Sequence, residues 1–437
     1  MSKVIVIGSG PAGALTAIAL KQQGLDPILY DKVEPLEAIK SAIMTGQPIN
    51  LQFGDVGGSV SLYGNGLKAM RNLGLLDAVE VFRGEEPLTQ MSFMLIDGSD
   101  RIIRKFTKNK PGEILPLHVL RADLHTILMK EANKLGIKSF AGKKVKNITQ
   151  TDSNVTVDFE DGTSAVGDFV VGADGIHSKT RKLIFEDAAK PVWFGTGYLG
   201  VFDRKTLPDG TKVDFDQAIG IYVNPVKAKG VAATRSSYWG AYNVVDMDVH
   251  AVDESLDDWR PVNDLPKEAE QLGALVDSWG CPKSLGLCIR HSKRIAPINL
   301  YDLPDLPALY KNRVLLVGDA AHGTLPTYGQ GLNMAMEDAA ALGDLFAHFK
   351  NPQDYSKVFK AYNDARLPRV HICAKLSRSI ASRFKAPSNT VMRIGRFVMR
   401  LIFLVINLLE ADDEMVDHDY RQDLVKAVPD IKFAQAV

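Results

Sequence analysis

The chain has 437 residues with 52 basic and 52 acidic side chains, so its formal net charge is zero and a uniformly charged nucleic-acid binder is excluded. Hydrophobic residues at 46% and charged residues at 24% are an ordinary globular composition, which argues against disorder, collagen-like repeats and a multi-span membrane protein. At roughly 100 to 200 residues per domain the length accommodates two or three domains around an enclosed pocket.

Val4 to Ile7 is a short β-branched run, Ala12 to Gln23 a helix-forming stretch and Pro27 to Tyr30 a second strand, a βαβ opening that implies a parallel sheet. The first apolar run passes straight into glycines, so the N-terminus reads as a strand and not as a signal peptide. Between Lys143 and Val171, β-rich pieces separated by Asp152-Ser153-Asn154 and Asp161-Gly162 predict an antiparallel meander set into this α/β domain. From Phe185 to Arg294, strand candidates such as AIGIYVN and VAATRSSYWGAYNVV, with one helix near Lys267 to Trp279, predict a separate inserted sheet. Arg313 to Val317 is a compact buried strand and Leu332 to Phe349 a helix rich in Ala, Met and Leu, which returns the chain to the first domain. The expected division is a dinucleotide-binding first part at 1–184, a substrate-binding β-sheet domain at 185–294, the returning part at 295–365 and a C-terminal helical segment at 366–437. Cys281, Cys288 and Cys373 have no paired spacing, so we expect a reducing, cytoplasmic setting and no metal site.

Three motifs sit at predicted strand ends. Gly8-Ser9-Gly10-Pro11-Ala12-Gly13 follows VIVI: Gly8 permits the tight turn, Gly10 lets backbone approach a pyrophosphate, and Gly13 lets helix and strand pack closely. Asp31, at the end of the next strand, has the position and chemistry to accept from a ribose diol. The second motif is Gly172-Ala173-Asp174-Gly175-Ile176-His177-Ser178 with Arg181, and the third is Gly318-Asp319-Ala320-Ala321-His322, continuing to Pro326, Gly329-Gln330-Gly331 and Asn333 ahead of a helix. Taken one at a time, Asp174 and Asp319 are equally suited to capping a helix N-terminus.

In this order, over about residues 1 to 380, the motifs resemble the single-component (class A) flavin-dependent monooxygenases of the p-hydroxybenzoate hydroxylase fold. The resemblance implies an FAD-binding Rossmann-like domain of the GR2 type with an inserted antiparallel substrate sheet. It places Gly8, Gly10, Ala12, Gly13 and Asp31 on the adenine dinucleotide, Asp174 and Gly175 near the pyrophosphate and the nicotinamide donor's approach, and Asp319 on the ribityl or ribose hydroxyls. Gly329, Gly331, Leu332 and Asn333 would face the flavin's pyrimidine edge, Arg121 the diphosphate, and Gly58 the isoalloxazine. Pro326 and Tyr328 would border the reactive carbon, and His177 and His322 read as hydrogen-bonding structural residues rather than acid/base catalysts.

One dinucleotide fingerprint is present, with no second glycine-rich βαβ after residue 40, no redox CxxC pair and no WxWxIP segment. The implied reaction is therefore that of the family: NADPH or NADH reduces FAD as a transient co-substrate, dioxygen is captured as a flavin 4a-hydroperoxide, and an aromatic or polycyclic molecule is hydroxylated. Tyr222, Arg235 and Tyr238 are candidate substrate contacts, although strand alternation prevents Tyr238 and Trp239 from facing the same side. The alternatives are epoxidation or dehydrogenation of an apolar isoprenoid-type substrate, and a flavin-binding redox module that controls a partner.

The zero net charge is an average. Residues 1–365 carry −4, 366–409 carry +9 and 410–437 carry −5. Arg393, Arg396 and Arg400 fall at helical spacing before the run LIFLVI, which is far below the roughly 20 apolar residues of a bilayer span. Residues 391–409 are consistent with a basic amphipathic helix on a membrane surface. The expected arrangement, however, is a helix packed on the FAD domain or in a homodimer with its arginines solvated.

Overall fold

The protein is described from a computed structural model at residues 2–33, 58–83, 88–106, 113–185, 190–203, 207–208, 219–234, 238–242, 261–351, 354–383, 386–410, 413 and 415–433. Arg235 lies outside the described residues. Six strands form the first sheet in the spatial order Tyr310–Lys311, Val314–Leu316, Phe169–Gly172, Lys3–Ile7, Asp26–Tyr30 and Lys138–Phe140. All neighbours run parallel except the two-residue edge strand Tyr310–Lys311. Their β-branched and leucine side chains are buried on both faces: the face that carries Phe169 packs on helices through Phe346 and Phe359, and the face that carries Ile5 and Tyr30 packs on the strands of the meander through Gly167 and Phe159. The helix Pro11–Gln22 buries every residue from Gly13 to Leu20, which its small and apolar side chains allow, and it packs against Gly331–Phe349 on one flank and Arg121–Lys134 on the other. The expected meander is present as Val145–Gln150, Val155–Phe159 and Ser164–Gly167, and the following strand leaves it to join the parallel sheet.

A second sheet has seven strands, ordered Ser292–Asp302, Val192–Phe202, Tyr238–Tyr242, Lys229–Thr234, Ile219–Asn224, Gln90–Leu95 and Ile102–Lys105. Its composition corrects the 185–294 division at both ends. Gln90–Leu95 pairs in parallel with Ile219–Asn224, so two strands come from the first segment, and Ser292–Asp302 crosses the 294/295 boundary. Two helices, not one, cover one face of this sheet: Leu265–Ser278, ended by Gly280 at φ +79°, and Lys283–Arg290, which buries Leu285, Cys288 and Ile289. The boundary at 365/366 also fails, because a single helix runs from Tyr355 to Arg383 across it, through Pro368. The first two arginines past that boundary are turned inward, Arg366 at 0% and Arg369 at 5% exposure, and both reach Glu337 of the preceding segment.

Candidate functional site

The three glycine motifs converge at the carboxyl ends of three adjacent parallel strands, Val314–Leu316, Phe169–Gly172 and Lys3–Ile7, where open α/β sheets place their ligands. A side chain on Gly8, at φ +96°, would collide with the carbonyl of Ala173, and one on Gly13 with the carbonyl of Gly8. Gly318, at φ +57°, would set a Cβ 2.7 Å from that of Ala12, so the third motif is pressed onto the first. Gly10 and Gly175 are the opposite case, since a Cβ on either would meet no atom within 4 Å. Jammed and open glycines alternate along one ridge, which is the shape a phosphate chain needs to approach backbone.

Two helices point their N-termini into this region without a side-chain cap, Pro11–Gln22 after Gly10 and Gly331–Phe349 after Gln330. Their first-turn N–H groups and dipoles favour an anion. Asp319 is exposed between the buried Gly318 and Ala320, and Gly331 lies against it, with its Cβ direction 3.5 Å from Oδ1. The cations of Arg121 and Arg181 feel its charge; burial pushes both guanidinium pKa values down, while Asp319 pulls them back up, together with Asp174 in the case of Arg181. A dinucleotide with a diphosphate and a polyol fits these donors and acceptors.

Several expected contacts also have internal work to do. Asp31 accepts from Ser9 N at 2.6 Å, Ser9 Oγ at 2.7 Å and Val33 N at 2.9 Å, so it first holds the glycine turn; a carboxylate has about four acceptor sites, which leaves room for a ribose hydroxyl. Asp174 accepts from Ser178 Oγ at 2.5 Å, Thr180 N at 2.9 Å and Thr180 Oγ1 at 3.0 Å, a capping arrangement for the short helix Lys179–Ile184. Asp319 is thus the aspartate that presents its carboxylate outward, and Asp174 the one that builds its loop. The wholly buried Arg181 donates to Ala320 O at 2.9 Å and Ile176 O at 2.7 Å, tying the second motif to the third. Arg121 N donates to Gly58 O at 2.9 Å, which brings those two expected flavin neighbours together.

The Asn333 side chain accepts from Tyr63 N at 2.9 Å and donates to Ser61 O and Gly329 O, stitching the strand Ser59–Leu62 to the helix N-terminus. Leu332 follows on the half-buried rim; Gly329, at φ +63°, packs beside the ring of Tyr63, and Pro326 is exposed in the 3-10 turn Pro326–Tyr328. His322 Nε2 meets Asp338 Oδ2 at 2.5 Å in full burial, and His177 stands edge-on to Tyr301 at 4.7 Å, both structural placements.

The substrate candidates separate by face. Tyr238 lies on the side of the second sheet that meets the first domain, with its ring 2.6 Å from the Cβ direction of Gly58 and its hydroxyl 3.3 Å from that of Tyr242. Trp239 points the other way and donates to Ser292 Oγ at 2.8 Å. Tyr222, 1% exposed, shares that opposite core with Trp239 and the covering helices, so alternation removes it from the site. Tyr242, Leu199 and Ile298 take its place beside Tyr238, a set that the spacing Tyr238-x-x-x-Tyr242 could have signalled.

Beneath the N-terminus of Gly331–Phe349 lies a buried ionic cluster that sequence reasoning missed. Arg366 donates to Glu337 Oε2 at 2.6 Å and Asp338 Oδ1 at 2.9 Å, Arg369 reaches Glu337 at 3.3 Å, and Asn65 bridges Glu337 at 2.5 Å and Gln330 at 2.9 Å. Burial raises the carboxyl pKa of Glu337, and Arg366 and Arg369 bring it below its ordinary value. The signal was the pair Glu337-Asp338 nearly two turns after Gly331 together with Arg366-x-x-Arg369.

A family model described as "FAD binding domain" matches residues 59–198 and 306–377, leaving most of the second sheet between its two segments. The FAD-dependent urate hydroxylase of Klebsiella pneumoniae is 28% identical over 378 residues, covering 84% of this chain and 86% of that protein. Salicylate hydroxylase of Pseudomonas putida is 29% identical over 394 residues, covering 85% and 82%, and 3-amino-4-hydroxybenzoate 2-monooxygenase of Streptomyces cremeus is 27% identical over 393, covering 88% of each. Among solved structures, a salicylate hydroxylase substrate complex superposes with a TM-score of 0.72 at 21% identity over 98% of both chains. Klebsiella pneumoniae HpxO with FAD and uric acid gives 0.68 at 23%, over 92% of this chain and 93% of that one.

Proposed function

Because this chain belongs to the FAD-dependent hydroxylases of the p-hydroxybenzoate hydroxylase-type monooxygenase family, we propose that it hydroxylates an aromatic or polycyclic small molecule with NAD(P)H and dioxygen. FAD, when bound, supplies the electron transfer and oxygen activation. In this reading Gly10 and the N-terminus of Pro11–Gln22 receive the diphosphate with Arg121, Asp319 holds polyol hydroxyls, and the N–H groups of Gly331 to Asn333 face the anionic edge of the reduced ring. The side chains of Asn333 and Arg181 hold these loops in register, so the donors are set before the ring arrives.

The observation that carries the substrate class is the wall opposite Gly58. Tyr238, Tyr242, Leu199 and Ile298 form an apolar and aromatic surface whose polar tips are two paired hydroxyls. Burial raises the pKa of Tyr238 well above its ordinary value, with Tyr242 adding to the effect, so the pair stays neutral and can donate to a phenolic oxygen while excluding water. The same apolar wall favours the second reading, epoxidation or dehydrogenation of an isoprenoid-type substrate. The test is a panel of phenolic, polycyclic and isoprenoid compounds under labelled dioxygen. One labelled oxygen atom per NAD(P)H consumed supports hydroxylation or epoxidation, and the product distinguishes them. A protein that binds FAD but whose NAD(P)H oxidation no compound stimulates refutes the reading.

A further inference from the structure

The helix Asn389–Leu409 is built inside out. It buries Arg396 and no other residue, while ten of its large apolar side chains are at least 46% exposed, from Val391 through Phe397 at 59% to Leu408 at 76%. At 100° per residue those ten occupy one arc of about 160° running the length of the helix, some 30 Å. Its polar edge faces the protein. Arg396 and Arg400 both pair with Asp100, the ring of Phe403 packs tilted against that of Phe93 at 5.5 Å, and Asn407 exchanges hydrogen bonds of 2.9 Å with Lys105 N and Ile103 O on the edge strand. The expectation of a helix on the FAD domain with solvated arginines is therefore corrected: the helix lies on the second sheet, and Arg396 is turned inward.

We propose that this face docks on an anionic bilayer surface, with the helix lying in the plane of the interface. An exposed apolar patch of this extent exceeds the few hundred Å² usual for a soluble monomer. Charge selects the occupant. A groove of about 500 Å³ alongside the apolar face is lined by Arg393, Arg396 and Arg400 against the single carboxylate of Asp100, and the helix itself carries no acidic residue. Lipid phosphates neutralise that excess, whereas a second copy docked through the same face would bring another arginine groove beside it. Flat docking is the mode available, since no helix among the described residues is long and apolar enough to cross a membrane. The inference is independent of the oxygenation chemistry.

The experiment is flotation of the FAD-loaded full chain with vesicles of phosphatidylcholine alone or with roughly one-third phosphatidylserine, paired with light scattering for oligomeric state. Binding to the anionic vesicles is expected. Leu404→Gln with Leu408→Gln should weaken it at least about tenfold, since each leucine buries apolar surface there, at unchanged FAD content and melting temperature. Arg393→Gln should weaken it roughly fivefold on anionic vesicles alone. Failure to float with either composition overturns the proposal, as does equal binding to both. So does a stable dimer that the double leucine variant dissociates while vesicles capture nothing.

Discussion

Replacing Arg366 with methionine tests whether the buried cluster under the helix Gly331–Phe349 is held by charge. Arg366, Glu337 and Asp338 have side chains at 0% exposure, and the guanidinium bonds both carboxylates as well as Met334 O at 3.2 Å. Methionine fills similar volume, so the loss is electrostatic: Glu337 keeps Arg369 and Asn65, Asp338 keeps His322 and Gly318 N, and each loses its shared cation. Breaking a buried pair from one side costs about 3–5 kcal/mol. Sign follows from the titration. In the native protein Glu337 sits below its ordinary pKa, so its contribution is present above that pKa and lost in acid; without Arg366, burial dominates, its pKa rises, and holding it ionised becomes costly as pH rises. Urea unfolding of the FAD-loaded variant should therefore show a deficit of about 3–5 kcal/mol at pH 8 that shrinks toward pH 5, and adding Glu337→Gln should restore part of it. A deficit below about 1 kcal/mol, the range of an exposed pair, or one independent of pH, refutes the reasoning.

Asp319→Ala should weaken FAD binding at least about tenfold, one charge-assisted hydrogen bond's worth; unchanged affinity in a fluorescence titration would remove Asp319 from the polyol site. Gly10→Ala should leave the apoprotein's melting temperature intact and lower FAD affinity, because its Cβ enters open space, whereas Gly13→Ala strikes the carbonyl of Gly8 and should destabilise the apoprotein itself. Equal melting temperatures for the two variants would contradict that geometry. Burial pushes the His125 pKa down to about 4, against its hydrogen bond to Ser9 O and with Arg121 adding to the depression. Its folded value lies below the unfolded one, so the stability it contributes is present above about pH 6.5 and lost as pH falls toward 4, up to about 3 kcal/mol. His125→Gln should flatten the stability profile in that window, and an unchanged slope would assign the acid sensitivity elsewhere.

The first domain was readable because its signals are local: a β-branched run, a glycine turn and a helix occupy consecutive residues, and three such strand ends fall in family order. The separation of roles between Asp174 and Asp319 was not readable, since both follow a glycine at a strand end. Only the partners Ser178 and Thr180 tell a capping carboxylate from an outward one. Tyr222 failed for a related reason, because period-two alternation says that two faces exist but not which one a domain seen elsewhere in the chain will cover. The strands Gln90–Leu95 and Ile102–Lys105 were hidden by distance: nothing near them in sequence announces a partner at Ile219–Asn224. Arg366, Arg369 and Arg396 are long basic side chains that composition counts as surface, and only their carboxylate partners turn them inward.

The seven-stranded sheet has a consequence for how this chain acquires its shape. Met91 must wait for Ile219 before it has a neighbour on that side, and the ion pairs of Arg104 with Asp413 and of Asp100 with Arg396 bridge separations of 309 and 296 residues. Loop-closure entropy makes such contacts late events. On a ribosome, the seven strands of the second sheet can pair once residue 302 has emerged, but the edge strand stays uncovered until the helix Asn389–Leu409 follows. A nascent chain halted before residue 389 would leave Ile102–Lys105 as a bare sheet edge without Asn407 to occupy it.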